Sequence, residues 1–118
     1  MPTTEPTWFE FIETPIFTKR LTELALPEVL TAIQANLIED PERWPVVQST
    51  GGARKGRIAD PRSGRGKSGG YRYLYLYLSH AGVIYLMYIF GKNEQSDLTP
   101  TQKKMIAELS AWIREEWQ

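Results

Sequence analysis

The sequence predicts one small α+β domain over residues 1–118, in which two N-terminal helices and one C-terminal helix pack on a curved antiparallel sheet. Residues 71–79 and 83–90 alternate as two long strands around a short turn, and residues 100–113 carry apolar side chains at helical spacing. A length of 118 residues suits a single domain, and a composition that is 42% hydrophobic can bury a core. A strand, two helices, three or four antiparallel strands and a helix follow one another, an order typical of α+β proteins.

The N-terminal part predicts a strand and two short helices. Residues 1–7 are polar and proline-containing, so we expect them to be frayed. Residues 8–13, WFEFIE, are predicted to form the strand. The Thr-Pro pair that follows is typical of a helix start and predicts a helix over 15–24. A second helix begins with proline at residue 27 and ends at the Asp-Pro pair 40–41.

The middle of the chain predicts an extended piece over 44–48, a turn over 50–52 and a strand over 53–59. Glycine, proline and cations dominate residues 60–70, which predicts a flexible basic loop. The last helix begins at a capping box, Thr-Pro-Thr-Gln at residues 99–102.

Charge is distributed unevenly along a chain whose net charge is zero. Residues 1–50 hold three Lys or Arg and eight Asp or Glu, a net charge of −5. Residues 51–92 hold eight and one, a net charge of +7, and residues 93–118 hold three and five, a net charge of −2. This asymmetry predicts an anionic partner for the middle third. The alternative is a solvated loop made basic for solubility, but these charges flank strands and do not form a tail.

Several classes of protein are not expected from this composition. The absence of cysteine excludes disulfides and thiolate metal sites, and no apolar run has the length of a membrane span. The start, MPTTEPTW, lacks the layout of a signal peptide, which favours a cytoplasmic protein. No spacing of His, Asp or Glu indicates a metal site, so we expect neither a metal nor a cofactor.

Three patterns resemble functional motifs but lack the context that those motifs need. Residues 64–69 match GxGxxG and 66–68 resemble the end of a P-loop, yet a strand follows and Pro61 stands where the P-loop requires glycine. His80 is predicted to be an ordinary residue of the hairpin turn. The tyrosines of residues 71–77 could stack on bases, but sheet packing is the favoured interpretation.

Four cations are predicted to meet at one end of the sheet. Lys55 and Arg57 lie two residues apart, so they share a face of their strand. Pairing of the hairpin strands brings Arg72 towards Lys92, and the four cluster if the strand over 53–59 is adjacent. Such a cluster, without a nearby carboxylate, suits a phosphate and would stabilise the charge of a phosphoryl transition state. Either lysine is a candidate general base, although binding alone would use the same residues.

The chain closely resembles the RelE/HigB superfamily of bacterial toxins, and its HigB-like branch in particular, over residues 9–115. The segments that carry the resemblance are FIETPIFTKRL, GGARKGRIA, GRGKSGGYRYLYLYL and IYLMYIFGKNEQSDLTPTQKK. It implies a small microbial ribonuclease-like α+β fold and the toxin of a type II toxin–antitoxin system. Such toxins cut mRNA on the ribosome by attack of the RNA 2′-OH on the adjacent phosphate, without metal. A helix-turn-helix antitoxin is the implied partner.

The resemblance also implies roles for individual residues. Positions with catalytic roles in the family match Lys55, Arg57, Arg72 and Lys92. The other cations of the middle third are predicted to bind RNA: Arg54, Arg62, Arg65 and Lys67. Asn93 and Thr99 stand where RelE has an arginine and a tyrosine that assist catalysis, and Gly56 replaces an apolar residue, which predicts a loosened strand. Two other functions stay open, a non-catalytic RNA- or ribosome-binding module and an interaction protein that docks an acidic partner.

Overall fold

Three helices and four strands make up the described part of the chain, residues 9–62 and 70–118, in a computed structural model of the protein. They are β1 (Glu10–Glu13), α1 (Pro15–Leu24), α2 (Pro27–Glu39), β2 (Arg54–Ile58), β3 (Tyr71–Leu78), β4 (Val83–Gly91) and α3 (Pro100–Glu116). The predicted α+β class is confirmed, and α1 has the predicted bounds. None of the helices in these ranges is long and apolar enough to cross a membrane.

The strands form one sheet in the order β1-β4-β3-β2. Strand β3 pairs antiparallel with both of its neighbours, as predicted. Strand β1 instead pairs parallel with β4, with Glu10 opposite Val83. The sheet is therefore mixed, and the prediction of a purely antiparallel sheet is wrong at this edge. A hairpin fixes the relative direction of β3 and β4, whereas two helices separate β1 from the rest of the sheet, so no local turn determines its direction.

Helices cover both faces of the sheet. Successive side chains of β3 point to opposite sides, so the strand contributes to a core on each face. The tyrosines of β3 pack with α1 and α2 in a core that includes Phe17, Leu21, Val29, Ile33, Leu37, Tyr71, Tyr73 and Tyr75. The leucines pack with α3 in a second core that includes Leu74, Leu76, Leu78, Ile106 and Ile113. Tyr73 and Tyr75 are fully buried, which confirms sheet packing as the interpretation of the tyrosine row.

The turn before β2 packs closely against α3. Gly51 and Gly52 have φ values of 73° and 101°, a region that favours glycine. A Cβ atom on Gly51 would lie 2.9 Å from the Cβ of Ser110, so a larger residue would push the helix away. The Ser110 hydroxyl donates to the carbonyl of Thr50 at 2.8 Å and fixes this contact.

The predicted capping box at the start of α3 is confirmed. The Gln102 backbone N–H donates to the Thr99 hydroxyl, and the Thr99 N–H donates to the Gln102 side chain. Gln102 also donates to the Tyr88 hydroxyl at 3.1 Å, which ties the cap to β4. Thr99 therefore has a structural role as the N-cap of α3.

The structure accounts for the unexpected glycine in β2. Gly56 pairs with Tyr73, and a Cβ atom at residue 56 would lie 2.4 Å from Cζ of that tyrosine. The tyrosine ring lies across the glycine, so β2 can approach β3 only if residue 56 has no side chain. An aromatic ring that covers a strand glycine also compensates for its missing packing.

Candidate functional site

Two arginines face each other across the centre of the candidate site. Arg57 on β2 is the direct cross-strand partner of Arg72 on β3. Lys55 lies two residues before Arg57 on the same face of the strand, as predicted. Like charges directly opposite each other destabilise a sheet, so this pair lowers stability unless an anion lies between or above the two groups.

Arg72 is the most buried of the predicted site residues, with 8% of its surface exposed. Its guanidinium donates to the carbonyl of Tyr71 at 3.3 Å, and no carboxylate within the described ranges pairs with it. Burial lowers the pKa of Arg72, and the charge of Arg57 lowers that pKa further. A buried charge without a counter-charge is costly, so this position favours a bound anion.

These residues line an open cleft of about 330 Å³, a size within the usual range for ligand sites. Its lining residues are Trp44, Pro45, Lys55, Arg57 and Arg72, and we call it the arginine cleft. Arg57 is exposed and Lys55 is half-buried, so the cations form its walls and Arg72 forms its floor. A phosphate that entered from solvent would meet three positive side chains.

One carboxylate lies closer to the site than predicted. The Lys55 ammonium donates to Asp97 Oδ1 at 3.1 Å. The pKa of Asp97 is held below its usual value, first by the backbone N–H of Leu98 and then by Lys55. The prediction that the cations lie without a nearby carboxylate is therefore wrong for Lys55. No group of three His, Cys, Asp or Glu side chains that could hold a metal ion occurs within 9–62 and 70–118.

Arg54 contacts other parts of the protein. It donates to the carbonyls of Glu42 and Trp44 at 3.0 and 2.7 Å, and the Glu42 carboxylate lies 3.7 Å away. These bonds hold the segment before β2 against the sheet. Its predicted role in RNA binding therefore competes with a structural one.

Arg62 has similar internal contacts at the far end of β2. It pairs with Asp60 at 3.2 Å and donates to the carbonyl of Leu24 and the hydroxyl of Tyr71 at 2.9 and 2.7 Å. The hydrogen bond to Asp60 raises the pKa of Arg62. Its predicted role in RNA binding therefore also competes with these internal contacts. Arg65 and Lys67 lie outside the described residues.

Lys92 lies near the end of the sheet that carries Arg72, but it does not line the arginine cleft. Arg72 pairs with Phe90, as the predicted hairpin register requires. The N–H of Lys92 donates to the carbonyl of Gly70 at 3.0 Å, while its side chain is exposed and lines a neighbouring cleft with Arg62. The structure thus brings three of the four predicted catalytic residues together and places the fourth beside them.

Sequence reasoning missed two residues at this site, Trp44 and Asp97. Trp44 belongs to the predicted extended piece, and its only sequence signal is a large aromatic residue in a short polar segment. Asp97 is 42 residues from its partner Lys55, so no local pattern connects them. His80 lies in the hairpin turn as predicted, and its ring contacts the carbonyl of Trp117.

Comparison with known proteins agrees with the fold. A model of the family described as the RelE toxin of the RelE/RelB toxin–antitoxin system matches residues 18–116. Among solved structures, the chain is similar to E. coli toxin RelE, a double arginine-to-alanine mutant in the free state, with a TM-score of 0.54 and 15% sequence identity. That match covers 75% of this chain and 88% of the other, and it concerns the fold alone. Because the family model spans most of the sequence, the chain belongs to the RelE family of toxins from toxin–antitoxin systems.

Proposed function

We propose that this toxin is a ribosome-dependent mRNA endonuclease that inhibits translation, and that the arginine cleft binds the scissile phosphate. The observation that supports this most directly is Arg72, a buried guanidinium without a carboxylate partner in the described structure and opposite a second arginine. An RNA phosphate would supply the missing negative charge. Arginine suits this role because its planar fork binds two phosphate oxygens at once.

The proposed reaction uses a nucleophile that the RNA itself carries. The 2′-oxygen attacks the adjacent phosphorus and forms a new bond to it, while the bond to the 5′-oxygen of the next nucleotide breaks. The products are a 2′,3′-cyclic phosphate and a free 5′-hydroxyl. The 2′-OH proton passes to a general base, and the leaving oxygen gains a proton. No metal ion is required in this scheme.

In this mechanism the cations of the cleft have separate roles. Arg72 and Arg57 stabilise the negative charge on the non-bridging oxygens, which grows as the reaction proceeds. Lys55 is the first candidate for proton transfer because it lines the same cleft, with Asp97 holding its ammonium in place. Lys92, in the neighbouring cleft, is the second candidate. A cognate helix-turn-helix antitoxin is the proposed neutralising partner, and ribosomes in the cytoplasm are the proposed site of action.

The test compares two charge-removing variants on ribosomes programmed with mRNA. Arg72→Ala should lower the single-turnover cleavage rate by about 100-fold or more, the usual effect of removing a group that stabilises an oxyanion. Lys19→Ala is the control, because it removes one positive charge from an exposed position on α1. It should leave the rate unchanged.

Induced expression in a bacterium extends the test to cells. The native toxin should stop growth and the Arg72→Ala variant should not, while co-expression of the antitoxin should restore growth. Full activity of soluble, folded Arg72→Ala would contradict the assignment of the phosphate site. Normal growth with abundant soluble native toxin would contradict the proposed function.

A further inference from the structure

The aromatic wall of the arginine cleft has no role in the mechanism above. Trp44 is half-buried and lines the cleft beside Arg57. The guanidinium carbons of Arg43 and Arg57 lie 5.5 and 5.6 Å from the centroid of its ring, within the range of cation–π contacts. Its indole nitrogen is buried, so one edge of the ring is embedded in the protein, while the ring system contacts Arg57 at the cleft.

The segment that carries Trp44 is fixed to the sheet at the tryptophan and at the two residues after it. Arg54 donates to the Trp44 carbonyl at 2.7 Å, and the N–H of Lys55 donates to the carbonyl of Pro45 at 3.2 Å. Val46 forms an isolated bridge with Arg54. The ring is therefore held at a defined position relative to Lys55 and Arg57, as a recognition surface requires.

We propose that Trp44 is a base-stacking subsite, on which a nucleobase next to the phosphate held by Arg72 stacks. The inference rests on the proposed function and names the part of the RNA that the cleft recognises besides phosphate. Proteins that bind single-stranded RNA combine a positive groove with aromatic side chains that stack on bases, and this cleft contains both. A base is planar and can take the place that the Arg57 guanidinium holds in the free protein.

Base stacking and phosphate binding would then support each other. Arg57 is exposed and lies opposite Arg72, whose charge repels it. A base that displaces Arg57 from the Trp44 ring frees its guanidinium for the phosphate, where the repulsion between the arginines is offset by negative charge. Stacking is tolerant of base identity because every base has a π-face, so this subsite would favour an unpaired nucleotide over a particular sequence.

A purely structural role for Trp44 makes a different prediction, because the residue also packs against the core that contains Tyr73. The test therefore measures dependence on the base and not affinity alone. Ribosomes are programmed with mRNA in which 2′-O-methyl groups block cleavage, and each base of the codon presented to the toxin is removed in turn. Native toxin should bind about tenfold more weakly when one particular base is missing, the usual size of one stacking contact.

Three variants decide the outcome. Trp44→Leu should bind equally well with and without that base, and Trp44→Phe, which keeps an aromatic ring, should retain part of the dependence. Trp112→Leu is the control, because this tryptophan of α3 is 58% exposed and lies outside the cleft lining. It should retain the full tenfold dependence. An unchanged dependence in Trp44→Leu would overturn the proposal.

A second measurement uses the native toxin and therefore does not depend on the folding of a variant. Native toxin bound to mRNA with 5-iodouridine at the same codon position should cross-link to Trp44 on irradiation, and cross-links confined to other residues would overturn the proposal. The two proposals fail in different ways. If native toxin does not bind programmed ribosomes, the proposed function is wrong. If it binds and depends on Arg72 while the Trp44 variants keep the base dependence, only the stacking subsite is wrong.

Discussion

Two tyrosines of β3 provide a matched pair for measuring how a buried hydroxyl group changes the free energy of unfolding. Tyr73 and Tyr75 are both fully buried on the same face of the sheet, with ring centroids 5.8 Å apart. The Tyr75 hydroxyl donates to the carbonyl of Pro41 at 2.8 Å. The Tyr73 hydroxyl has no hydrogen-bond partner among the residues that the structure describes. We therefore expect Tyr75→Phe to destabilise the protein and Tyr73→Phe to stabilise it.

The expected sizes follow from these contacts. Loss of the Tyr75 hydrogen bond should cost about 1 kcal/mol of unfolding free energy. Removal of the unpartnered Tyr73 hydroxyl should gain about 1 kcal/mol, near the lower end of the penalty for burying an unsatisfied polar group. The indole N–H of Trp44 favours the ionised form of this hydroxyl but does not reach hydrogen-bond geometry with it. The two variants should therefore differ by about 2 kcal/mol, which corresponds to roughly 8 °C in Tm for a domain of this size.

Alkaline pH provides a second signature of the same burial. Burial raises the pKa of Tyr75 to about 12, and it raises the pKa of Tyr73 as well. Tyrosines of the unfolded chain ionise near pH 10, so ionisation of these two hydroxyls costs the folded protein no stability below about pH 10, and the full stability at neutral pH is kept there. It is lost as the pH rises through the folded-state pKa values. Each phenylalanine variant should lose stability less steeply than the native protein above pH 10.

Urea denaturation at pH 7, followed by circular dichroism, measures both variants against the native protein. Equal slopes of free energy against urea concentration are needed before the midpoints are compared. A Tyr73→Phe variant that is destabilised as much as Tyr75→Phe would refute the reasoning, because the Tyr73 hydroxyl would then have a partner, with the Trp44 indole as the first candidate.

Two further substitutions test the sheet and the cleft. Gly56→Ala should destabilise the protein by about 2 kcal/mol in urea denaturation, because its methyl group would overlap the Tyr73 ring. Gly91→Ala, where a Cβ would meet nothing within 4 Å, is the control and should cost much less. Asp97→Asn removes the counter-charge of Lys55 but keeps an oxygen for the Leu98 N–H. It should bind programmed ribosomes several-fold more tightly and with a steeper salt dependence, and unchanged binding would show that Lys55 does not face the RNA.

Most of the fold could be predicted from the sequence because short-range patterns determine where these helices and strands begin and end. A Thr-Pro start and apolar spacing fix α1, and a capping box fixes the start of α3, so both agree with the structure. Alternation around a tight turn predicts β3 and β4, but a one-residue shift in their register between Leu74 and Tyr75 has no such local signal. The direction of β1 has no such local determinant, since its partner β4 lies more than 70 residues away and pairs with it in parallel.

The candidate site likewise contains contacts that local sequence patterns predict and contacts that they do not. Strand periodicity places Lys55 and Arg57 on one face, but their meeting with Arg72 depends on the pairing of β2 with β3, which the sequence predicted only as a condition. The partners of the other cations do not follow from any repeat. Lys55 meets Asp97 through the loop before α3, and Arg54 meets the carbonyl of Trp44 through the segment before β2. Such contacts depend on how distant segments pack, and a sequence pattern does not encode that packing directly.

The presence or absence of internal partners, more than charge itself, distinguishes the cations of the proposed phosphate site from the structural ones. The net charge of +7 for residues 51–92 includes Arg54 and Arg62, each of which contacts a carboxylate and at least one backbone carbonyl. Arg57 and Arg72 face each other, and the described structure pairs neither with a carboxylate. A buried arginine opposite another arginine is costly, and an anion bound between them would offset that cost. The face of β3 opposite Arg72 carries the tyrosine core, so the alternation of side chains separates this core from the proposed phosphate site.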